Sequence, residues 1–179
     1  MIYNQKLNEL YKNQRVAVFL DVQNLYYSAR DTFNRKVDAE KILNIVLRDR
    51  ILVRAIAYIV NLYSVDQKSF INILKRIGYQ VKIKEPRIFK RIDEEGNLIN
   101  ITKGDWDMGI AMDAISMAER IDVAILLSGD GDFVDLVRYL QMRGVKVEVA
   151  AFRETTSKLL IEAADEFIDL TSLGEEIFL

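Results

Sequence analysis

The stretch VAILLSGDGDF, residues 123–133, decides how this chain folds. Its five apolar residues in a row are typical of a strand that is covered on both faces of a parallel sheet. Two glycines then allow a tight turn, and two carboxylates, those of Asp130 and Asp132, follow one residue apart. We therefore predict a buried strand that brings acidic side chains to one edge of a sheet.

The rest of the chain alternates between strand and helix patterns. Short apolar or β-branched runs predict strands at residues 16–20, 55–60, 123–127 and 145–150. Apolar residues at helical spacing lie between them, for example over residues 65–78 and in the most apolar helix, residues 107–119. This alternation indicates right-handed crossovers between parallel strands. The prediction is a three-layer α/β/α fold with a mostly parallel sheet, in which residues 80–102 form a projecting hairpin.

The composition fits one compact domain. The chain has 179 residues, a net charge of −2, 50% apolar residues, eight glycines and one proline, which excludes a disordered or low-complexity protein. No linker rich in proline, glycine or serine interrupts it, so we predict a single domain over residues 1–179 with its motifs in a core of about residues 15–170. The polar N-terminus and the lack of a long apolar run predict a cytoplasmic protein with no membrane partner.

The chain contains neither cysteine nor histidine. Thiol nucleophiles, cysteine-ligated zinc and every mechanism that needs an imidazole are thereby excluded. Any chemistry must use carboxylates, hydroxyls and cations.

A first acidic position ends the strand at residues 16–20. Asp21 follows this strand, and Asn24 comes three residues later, so a carboxylate and an amide emerge together where open parallel sheets place ligands. Asp21 could instead cap the turn or helix that follows. Position alone does not decide between the two roles.

The turn after residues 123–127 permits the same two interpretations. Asp130 could be a helix N-cap, with Asp132 favoured by the positive end of the helix. Capping explains one of these two aspartates better than it explains both. Because the strand at residues 16–20 also ends in an acid, we favour a functional role for the turn. The turn lacks the G-x-G-x-x-G order, so no dinucleotide cofactor is expected.

A third acidic cluster opens the helix at residues 107–119. Lys103, Asp105 and Asp107 lie at its start, where the helix dipole stabilises acids in many proteins, and Asp105 is the expected N-cap. Asp113 lies among apolar neighbours in a helix that we expect to be buried, where a carboxylate needs a partner, a metal or a proton. Because Asp107 and Asp113 point about 120° apart on a helix, we assign Asp107 to the site and Asp113 to its support.

Convergence of these acidic segments would imply a metal site. The carboxylates of Asp21, Asp107, Asp130 and Asp132 would repel one another strongly in a cleft without a cation. Oxygen ligands with no imidazole or thiolate favour Mg²⁺ or Mn²⁺ over zinc, in sites that leave room for water and substrate phosphate. The implied chemistry is hydrolysis of a phosphodiester.

The order of these motifs resembles that of the LabA-like NYN domains, relatives of the PIN nucleases. The resemblance rests on VFLDVQN at residues 18–24, KGDWD at residues 103–107 and LSGDGDF at residues 127–133, and it extends from residue 16 to about residue 150. It implies a PIN-like, Rossmann-like fold, bound Mg²⁺ or Mn²⁺, and an endoribonuclease that acts on RNA. By this similarity the site consists of Asp21, Asn24, Asp107, Asp130 and Asp132, with Asp105, Asp113 and Ser128 in support.

Two positions depart from the family's pattern. Val22 stands where the family often has glycine. The extra residue in KGDWD leaves both Asp105 and Asp107 as matches to the family's ligand position.

A basic segment precedes the third acidic cluster. Between residues 75 and 91, seven lysines and arginines stand against a single acid, Glu85. On a projecting hairpin these cations would lie beside the acidic cleft and hold a phosphate backbone, although lysines also guard solvated sheet edges. Tyr27 and Trp106 could stack an unpaired base if they are partly exposed. RNA contacts are predicted for Lys84, Arg87, Lys90, Arg91 and Lys103.

Two functions from different classes fit the sequence. The leading hypothesis is a metal-dependent ribonuclease in which Asn24 orients a ligand or water. The alternative is a non-catalytic RNA-binding or protein-interaction module that retains the acidic metal site. A phosphatase of the aspartyl-phosphate type fits less well, because no second acid stands two positions after Asp21. The apolar end, residues 177–179, could pack on the domain or join two copies, so a homo-oligomer remains open.

Overall fold

The computed structural model describes residues 10–61, 65–92 and 98–179, and within these ranges it describes every side chain except those of residues 65–66, 88–89, 92 and 98–103. The strands are β1 (Arg15–Asp21), β2 (Ile51–Val60), β3 (Gln80–Lys84), β4 (Arg87–Ile92), β5 (Leu98–Lys103), β6 (Val123–Leu127), β7 (Lys146–Ala151) and β8 (Glu166–Asp169). The α-helices are α1 (Val22–Phe33), α2 (Ala39–Leu47), α3 (Val65–Ile77), α4 (Asp107–Met117), α5 (Val134–Met142) and α6 (Lys158–Ala163). Short 3₁₀ segments lie at Gly131–Phe133, Arg153–Thr155 and Leu170–Ile177.

Six of the strands form one parallel sheet in the order β3-β2-β1-β6-β7-β8. The chain starts in the middle, runs outward through β2 and β3, and then builds β6, β7 and β8 on the other side of β1. The winding direction therefore reverses between β1 and β6, and open parallel sheets bind ligands at such a switch point, beyond the carboxyl ends of the strands. The predicted α/β fold with a mostly parallel sheet is confirmed.

Helices cover both faces of this sheet. On one face, Val16, Val18 and Leu20 of β1 belong to a buried cluster with residues of α1 and α2. On the other face, Ala17 and Phe19 belong to a second cluster with residues of α4 and α5. Successive side chains of a strand point to opposite faces, which is why β1 is apolar at every one of these positions.

Local sequence explains two helix boundaries. Asp38 caps α2, because its Oδ1 accepts hydrogen bonds from the N–H groups of Glu40 and Lys41. α3 ends at Ile77, and the glycine that follows has φ +114°, which a residue with a Cβ rarely adopts. Residues 64–67 have the capping-box order Ser-x-x-Gln, which predicts the start of α3, and Ser64 itself lies outside the described residues.

β4 and β5 form the predicted hairpin. They pair antiparallel, from Arg87 opposite Lys103 to Ile92 opposite Leu98, and the connecting residues 93–97 lie outside the described part of the chain. β3 belongs instead to the main sheet, where it pairs in parallel with β2. Val81 packs on the core cluster beside α3, which explains why the hairpin begins at residue 87 and not at residue 80.

α4 is less buried than its apolar sequence predicts. Only Ile110 and Ala114 are buried within it, while Met108 is 72% exposed and Met112 is 60% exposed. A helix that packs on a sheet contacts it through one stripe of residues three or four apart. The opposite side of the helix faces solvent even when its residues are apolar. Within the described ranges, no helix is both long and apolar enough to cross a bilayer.

The C-terminal residues pack against their own domain. Ile177 is fully buried, and the ring of Phe178 lies 5.8 Å from that of Phe33 and 6.1 Å from that of Phe152, centroid to centroid. Phe178 also forms an isolated antiparallel bridge with Val37. Of the two roles considered for residues 177–179, the structure shows packing on the domain.

Candidate metal centre and its cleft

The carboxyl ends of β1 and β6 lie side by side. Leu20 pairs with Leu127 in the parallel register, so the residues that follow them, Asp21 and Ser128, are neighbours. The Ser128 hydroxyl donates to Asp21 Oδ2 at 3.4 Å across a separation of 107 residues in the sequence. Both residues are buried. The sheet thus joins two of the three predicted acidic segments.

Three carboxylates converge at this edge. One oxygen from each of Asp107, Asp130 and Asp132 lies within 4.8 Å of the other two. Asp107 is the first residue of α4, and the other two belong to the turn that follows β6. Asp132 is exposed, whereas Asp107 and Asp130 are partly buried. The structure therefore brings three of the four predicted metal ligands into one group, which we call the acidic group.

The turn after β6 combines capping with this convergence. Asp130 Oδ1 accepts a hydrogen bond of 3.0 Å from the N–H of Asp132 and caps the 3₁₀ segment that follows. The N–H of Asp130 in turn donates to Ser128 Oγ at 3.3 Å. One oxygen of Asp130 is thus used to hold the turn, and the two roles considered from the sequence are compatible.

Asp21 lies beside the acidic group and is outside the set of mutually close oxygens. It is the N-cap of α1, where Oδ1 accepts from the N–H of Asn24 at 3.1 Å. Burial raises the pKa of this carboxyl above its ordinary value, and the hydrogen bond from Asn24 opposes that rise. Its charge is also among those that raise the pKa of Asp107. Asp21 therefore caps a helix and adds negative potential to the site.

Asn24 ties α1 to the turn after β6. Its side-chain Oδ1 accepts a hydrogen bond of 2.8 Å from the N–H of Gly129. Gly129 approaches the next loop so closely that a Cβ there would stand 2.8 Å from Thr156 Oγ1 and 3.0 Å from Thr156 Cα. Glycine is therefore required at this position, and Asn24 holds the turn that carries Asp130.

Asp107 responds to the crowding of carboxylates. The pKa of Asp107 is raised to about 6. Burial of the carboxyl is the largest cause of this rise, and the negative charges of Asp130, Asp105, Asp21 and Asp132 add to it. A cation among these oxygens would reverse the unfavourable interaction, because an opposite charge favours the ionised form. Carboxylate oxygens are the ligands of hard divalent cations. The chemistry of the donor set therefore fits Mg²⁺ or Mn²⁺.

Asp105 does not have the role expected of it. The N-cap of α4 is Trp106, which makes no side-chain capping bond, and Asp105 is exposed one residue earlier. The indole N–H of Trp106 donates to the carbonyl of Ile59 at 2.9 Å, and this bond fixes where the helix starts. Of Asp105 and Asp107, both left open by the sequence, the structure brings Asp107 into the acidic group.

Asp113 has protein partners on the face of the sheet that α4 covers. Lys82 Nζ lies 2.7 Å from each of its oxygens, and the hydroxyl of Tyr58 donates to Oδ2 at 2.7 Å. Lys82 and Tyr58 come from β3 and β2, so the three side chains fasten α4 to the sheet. The requirement that a carboxylate in this helix have a partner is met by a lysine and a tyrosine.

A cleft of about 460 Å³ runs along the acidic group. α1 forms one wall, the segment 104–107 forms another, and Thr155 lines the cleft from beyond β7. Ser28, Asp31 and Thr155 are lining residues that the motifs did not single out. Ser28 and Asp31 share one side of α1 with residues 23, 24 and 27, but helical spacing does not tell which side lines the cleft. Thr155 belongs to another element, and no motif indicated it.

The aromatic residues near the motifs differ in their surroundings. Tyr26 packs on Phe70 with ring centroids 4.7 Å apart and is part of the core layer. Trp106 is partly buried, with its ring 5.4 Å from that of Tyr58. Tyr27 is 37% exposed and lines the cleft. Of Tyr27 and Trp106, Tyr27 is therefore the more accessible ring for stacking a base.

The predicted basic residues lie close to the cleft or on the hairpin. Lys84 Nζ donates to the backbone carbonyl of Asp105 at 2.8 Å and stands 5.5 Å from the centroid of the Trp106 ring. Arg87, Lys90 and Arg91 are exposed on β4. The side chain of Lys103 lies outside the described set, although its backbone pairs with Arg87.

A parallel sheet with carboxylates at its switch point defines the class of protein, an NYN-type domain. The family model described as "NYN domain" matches residues 15–171, and the chain belongs to this family. It is 28% identical over 165 residues to "Low amplitude and bright protein LabA" of Synechococcus elongatus, which covers 91% of this chain and 87% of the relative. The family resemblance inferred from the motifs is confirmed.

A solved structure agrees with this assignment. The crystal structure of a protein of unknown function from Vibrio parahaemolyticus matches with a TM-score of 0.80 and 34% sequence identity. The match covers 94% of this chain and 98% of that one. The similarity therefore extends over nearly the whole fold.

Proposed function

We propose that this protein is a metal-dependent ribonuclease that hydrolyses RNA phosphodiester bonds at the acidic group. The observation that carries the proposal is the convergence of Asp107, Asp130 and Asp132 within 4.8 Å at the edge of the sheet. Membership of the NYN family, whose domains are of nuclease type, supports an RNA-related reaction. A cleft beside the carboxylates supplies room for a substrate strand.

Asp107, Asp130 and Asp132 would hold Mg²⁺ or Mn²⁺, with Asp21 adding negative charge beside them. A bound divalent ion supplies Lewis acidity, which lowers the pKa of an attacking water and stabilises charge on the phosphate. The chain itself keeps the carboxylates in place through the cap at Asp130 and the bond between Asn24 and Gly129. With no histidine in the sequence, a carboxylate or solvent must accept the proton that the water loses.

The basic residues would bind the substrate backbone. Lys84 stands at one end of the acidic segment, and Arg87, Lys90 and Arg91 continue the positive charge along β4. Phosphate groups attract such cations without regard to base sequence, and the attraction weakens as salt rises. Lys103 extends the same series in the sequence. These cations would offset the repulsion between RNA and the carboxylates.

The test is cleavage of a labelled single-stranded RNA with Mn²⁺, Mg²⁺ or EDTA. Asp130→Asn is the informative variant, because asparagine retains the oxygen that accepts from the N–H of Asp132 and so preserves the turn. Asp135→Asn is the matched control, since Asp135 is an exposed acid on α5. We expect metal-dependent cutting by the parent and the control, and none by Asp130→Asn.

The melting temperature measured in the same buffers identifies the cause of any loss. A divalent ion that binds the folded state raises the melting temperature. A folded Asp130→Asn protein that cuts as fast as the parent would overturn the proposal. An ion-induced rise in melting temperature with no cutting by the parent would favour the non-catalytic module that retains the metal site.

A further inference from the structure

The outward side of α1 forms a wall of the cleft that the metal chemistry does not use. Gln23, Tyr27 and Asp31 lie four residues apart, so they follow one another along one side of the helix, and all three line the cleft. The helix begins directly after Asp21, beside the acidic group. A nucleotide whose phosphate reached the carboxylates would therefore meet this wall.

Tyr27 provides an aromatic surface on the wall. It is 37% exposed, and the guanidinium carbon of Arg30 lies 4.7 Å from the centroid of its ring. Aromatic rings and guanidinium planes are the groups on which proteins stack unpaired bases. Duplex RNA keeps its bases stacked within the helix, so such a surface favours a single strand.

Asp31 determines what this wall can bind. Its side chain is 64% exposed, and Oδ1 accepts from Arg30 Nε at 2.9 Å. An ionised carboxylate accepts hydrogen bonds, donates none and repels phosphate, so the wall suits a base edge and disfavours the backbone. Guanine offers two adjacent N–H donors, N1–H and N2–H, on its Watson–Crick edge. The amide of Gln23 can donate to the guanine O6.

Trp106, the other aromatic side chain of the cleft, has a different role. Its indole N–H is bound to the Ile59 carbonyl, and its ring lies so close to Gly109 that a Cβ there would stand 2.4 Å from Trp106 Cε3. Trp106 is thus packed as part of the start of α4. The accessible stacking surface of the cleft belongs to α1.

We propose that Tyr27, Arg30 and Asp31, with Gln23, form a subsite for an unpaired guanine next to the phosphate that is hydrolysed at the acidic group. The proposal rests on the ribonuclease function only for that phosphate. Arg30 lies over one face of the Tyr27 ring, so the opposite face supplies the stacking surface. Asp31 selects guanine through its acceptor oxygens, one of which also accepts from Arg30. The site would therefore prefer RNA with guanine at one position beside the cut.

A binding measurement tests the subsite independently of turnover. The four nucleoside 5′-monophosphates are titrated with Mg²⁺ present, and the amide resonances of α1 are followed by NMR. Because the four ligands share one phosphate, differences between them report the base. We expect guanylate to bind about tenfold more tightly than the other three, and Asp31→Asn to remove the difference.

Two further variants separate stacking from hydrogen bonding. Tyr27→Ala should weaken all four nucleotides about tenfold, whereas Tyr27→Phe keeps the ring and the affinity. Asp135→Asn is the control for loss of an exposed acid that has an arginine nearby, since Arg138 lies 3.7 Å from Asp135. Equal binding of all four nucleotides by the parent, or a guanylate preference that survives Asp31→Asn, would overturn the subsite.

Cleavage of RNA strands that contain one guanine among adenines and uracils completes the test. Cuts concentrated beside the guanine in the parent, and spread by Asp31→Asn, support the subsite. Cuts at every position in the parent overturn it while leaving the ribonuclease proposal intact. Failure to cut any strand overturns the ribonuclease proposal, and the nucleotide titration then still decides whether α1 binds guanine.

Discussion

The side-chain oxygen of Asn24 accepts a 2.8 Å hydrogen bond from the backbone N–H of Gly129, which lies 105 residues further along the chain. The bond connects the first turn of α1 to the turn that carries Asp130 and Asp132. Gly129 is buried, and truncation of the side chain at position 24 would leave its N–H without this partner. Asn24 is therefore expected to stabilise the fold as well as the site.

Substitution of Asn24 by alanine tests this relationship. Leaving the buried N–H of Gly129 unpaired should lower the free energy of unfolding by about 1–3 kcal/mol. Urea denaturation of the metal-free protein measures the change. Asn44→Ala, at an exposed position within α2, is the control and should change stability little. An Asn24→Ala protein as stable as the parent would show that the bond contributes nothing.

The raised pKa of Asp107 predicts a pH dependence of stability. Its pKa in the folded protein is about 6, against an ordinary aspartate value of 3.8. The folded state therefore retains a proton that the unfolded chain has already lost, so the free energy of unfolding falls as pH rises between about 4 and about 6. Above that range the cost is constant. The Asp107 carboxyl is only partly buried, and after screening by solvent we expect a cost of about 1 kcal/mol.

Asp107→Asn removes this cost. Without metal ions, the variant should match the parent near pH 4 and exceed its free energy of unfolding above pH 6, as measured by urea denaturation at several pH values. With Mg²⁺ the order should reverse, because the ionised carboxylate then has a cation beside it. A constant difference between the two proteins across this pH range would contradict the raised pKa.

The contacts of Asp113 predict an effect on the position of α4. Asp113→Ala leaves the Tyr58 hydroxyl and the Lys82 ammonium without their shared partner, which should cost about 1–3 kcal/mol of stability. Since Asp107 is the first residue of the same helix, the rise in melting temperature caused by Mn²⁺ should also shrink. Asp113→Asn, which keeps an acceptor for Tyr58, should lose less on both measures. If Asp113→Ala lowers stability but Mn²⁺ still raises the melting temperature as much as in the parent, the contacts of Asp113 do not affect the metal site.

A buried ion pair at the opposite end of the strands predicts a larger loss. The side chains of Arg50 and Glu148 are both 0% exposed and form two hydrogen bonds of 2.7 and 2.8 Å. Lys146 Nζ also donates to Glu148 Oε1 at 2.8 Å. Arg50→Met therefore leaves the buried carboxylate with one partly exposed cation, and the free energy of unfolding should fall by about 3 kcal/mol. The double variant Arg50→Met with Glu148→Leu should recover part of that loss. Urea denaturation of the parent, Arg50→Met and the double variant measures the loss and the recovery.

Buried strands and their carboxyl ends could be predicted from the sequence because a run of apolar residues matches a strand that is covered on both faces. Residues 123–127 are apolar at every position, and both faces of β6 are covered. The same pattern at residues 16–20 indicated β1, and two acidic strand ends indicated the switch point between them. The motifs therefore placed Asp21, Asp130 and Asp132 at the carboxyl ends of strands, and the pairing of β1 with β6 shows that these ends are neighbours.

Contacts between distant side chains could not be read from local patterns. Hydropathy shows that α4 is apolar but not which stripe faces the sheet, so Met108 and Met112 were expected to be buried. The start of α4 depends on the bond from Trp106 to Ile59, in another strand, which the capping rule for Asp105 does not contain. In the same way, nothing near Asp113 in the sequence indicates Lys82 as its partner.

The least predictable elements are short or lie at the end of the chain. β8 has four residues with one of them buried, and α6 has six, so both are too short for apolar spacing to identify them. α1 is longer, but its sequence does not distinguish the side that faces the core from the side that lines the cleft. The role of Asp31 became visible only with the placement of α1 beside the acidic group.

The place of β1 between β2 and β6 has a consequence for the order of events during synthesis. A ribosome produces β1 first, yet this strand gains its neighbour on one side only after more than a hundred further residues, as the pairing of Leu20 with Leu127 requires. Contacts between residues so far apart in the chain form late in folding. A nascent chain thus has no complete set of carboxylates until Asp132 has left the exit tunnel. Under the proposed ribonuclease function, the unfinished chain could not cut the ribosomal RNA that surrounds it.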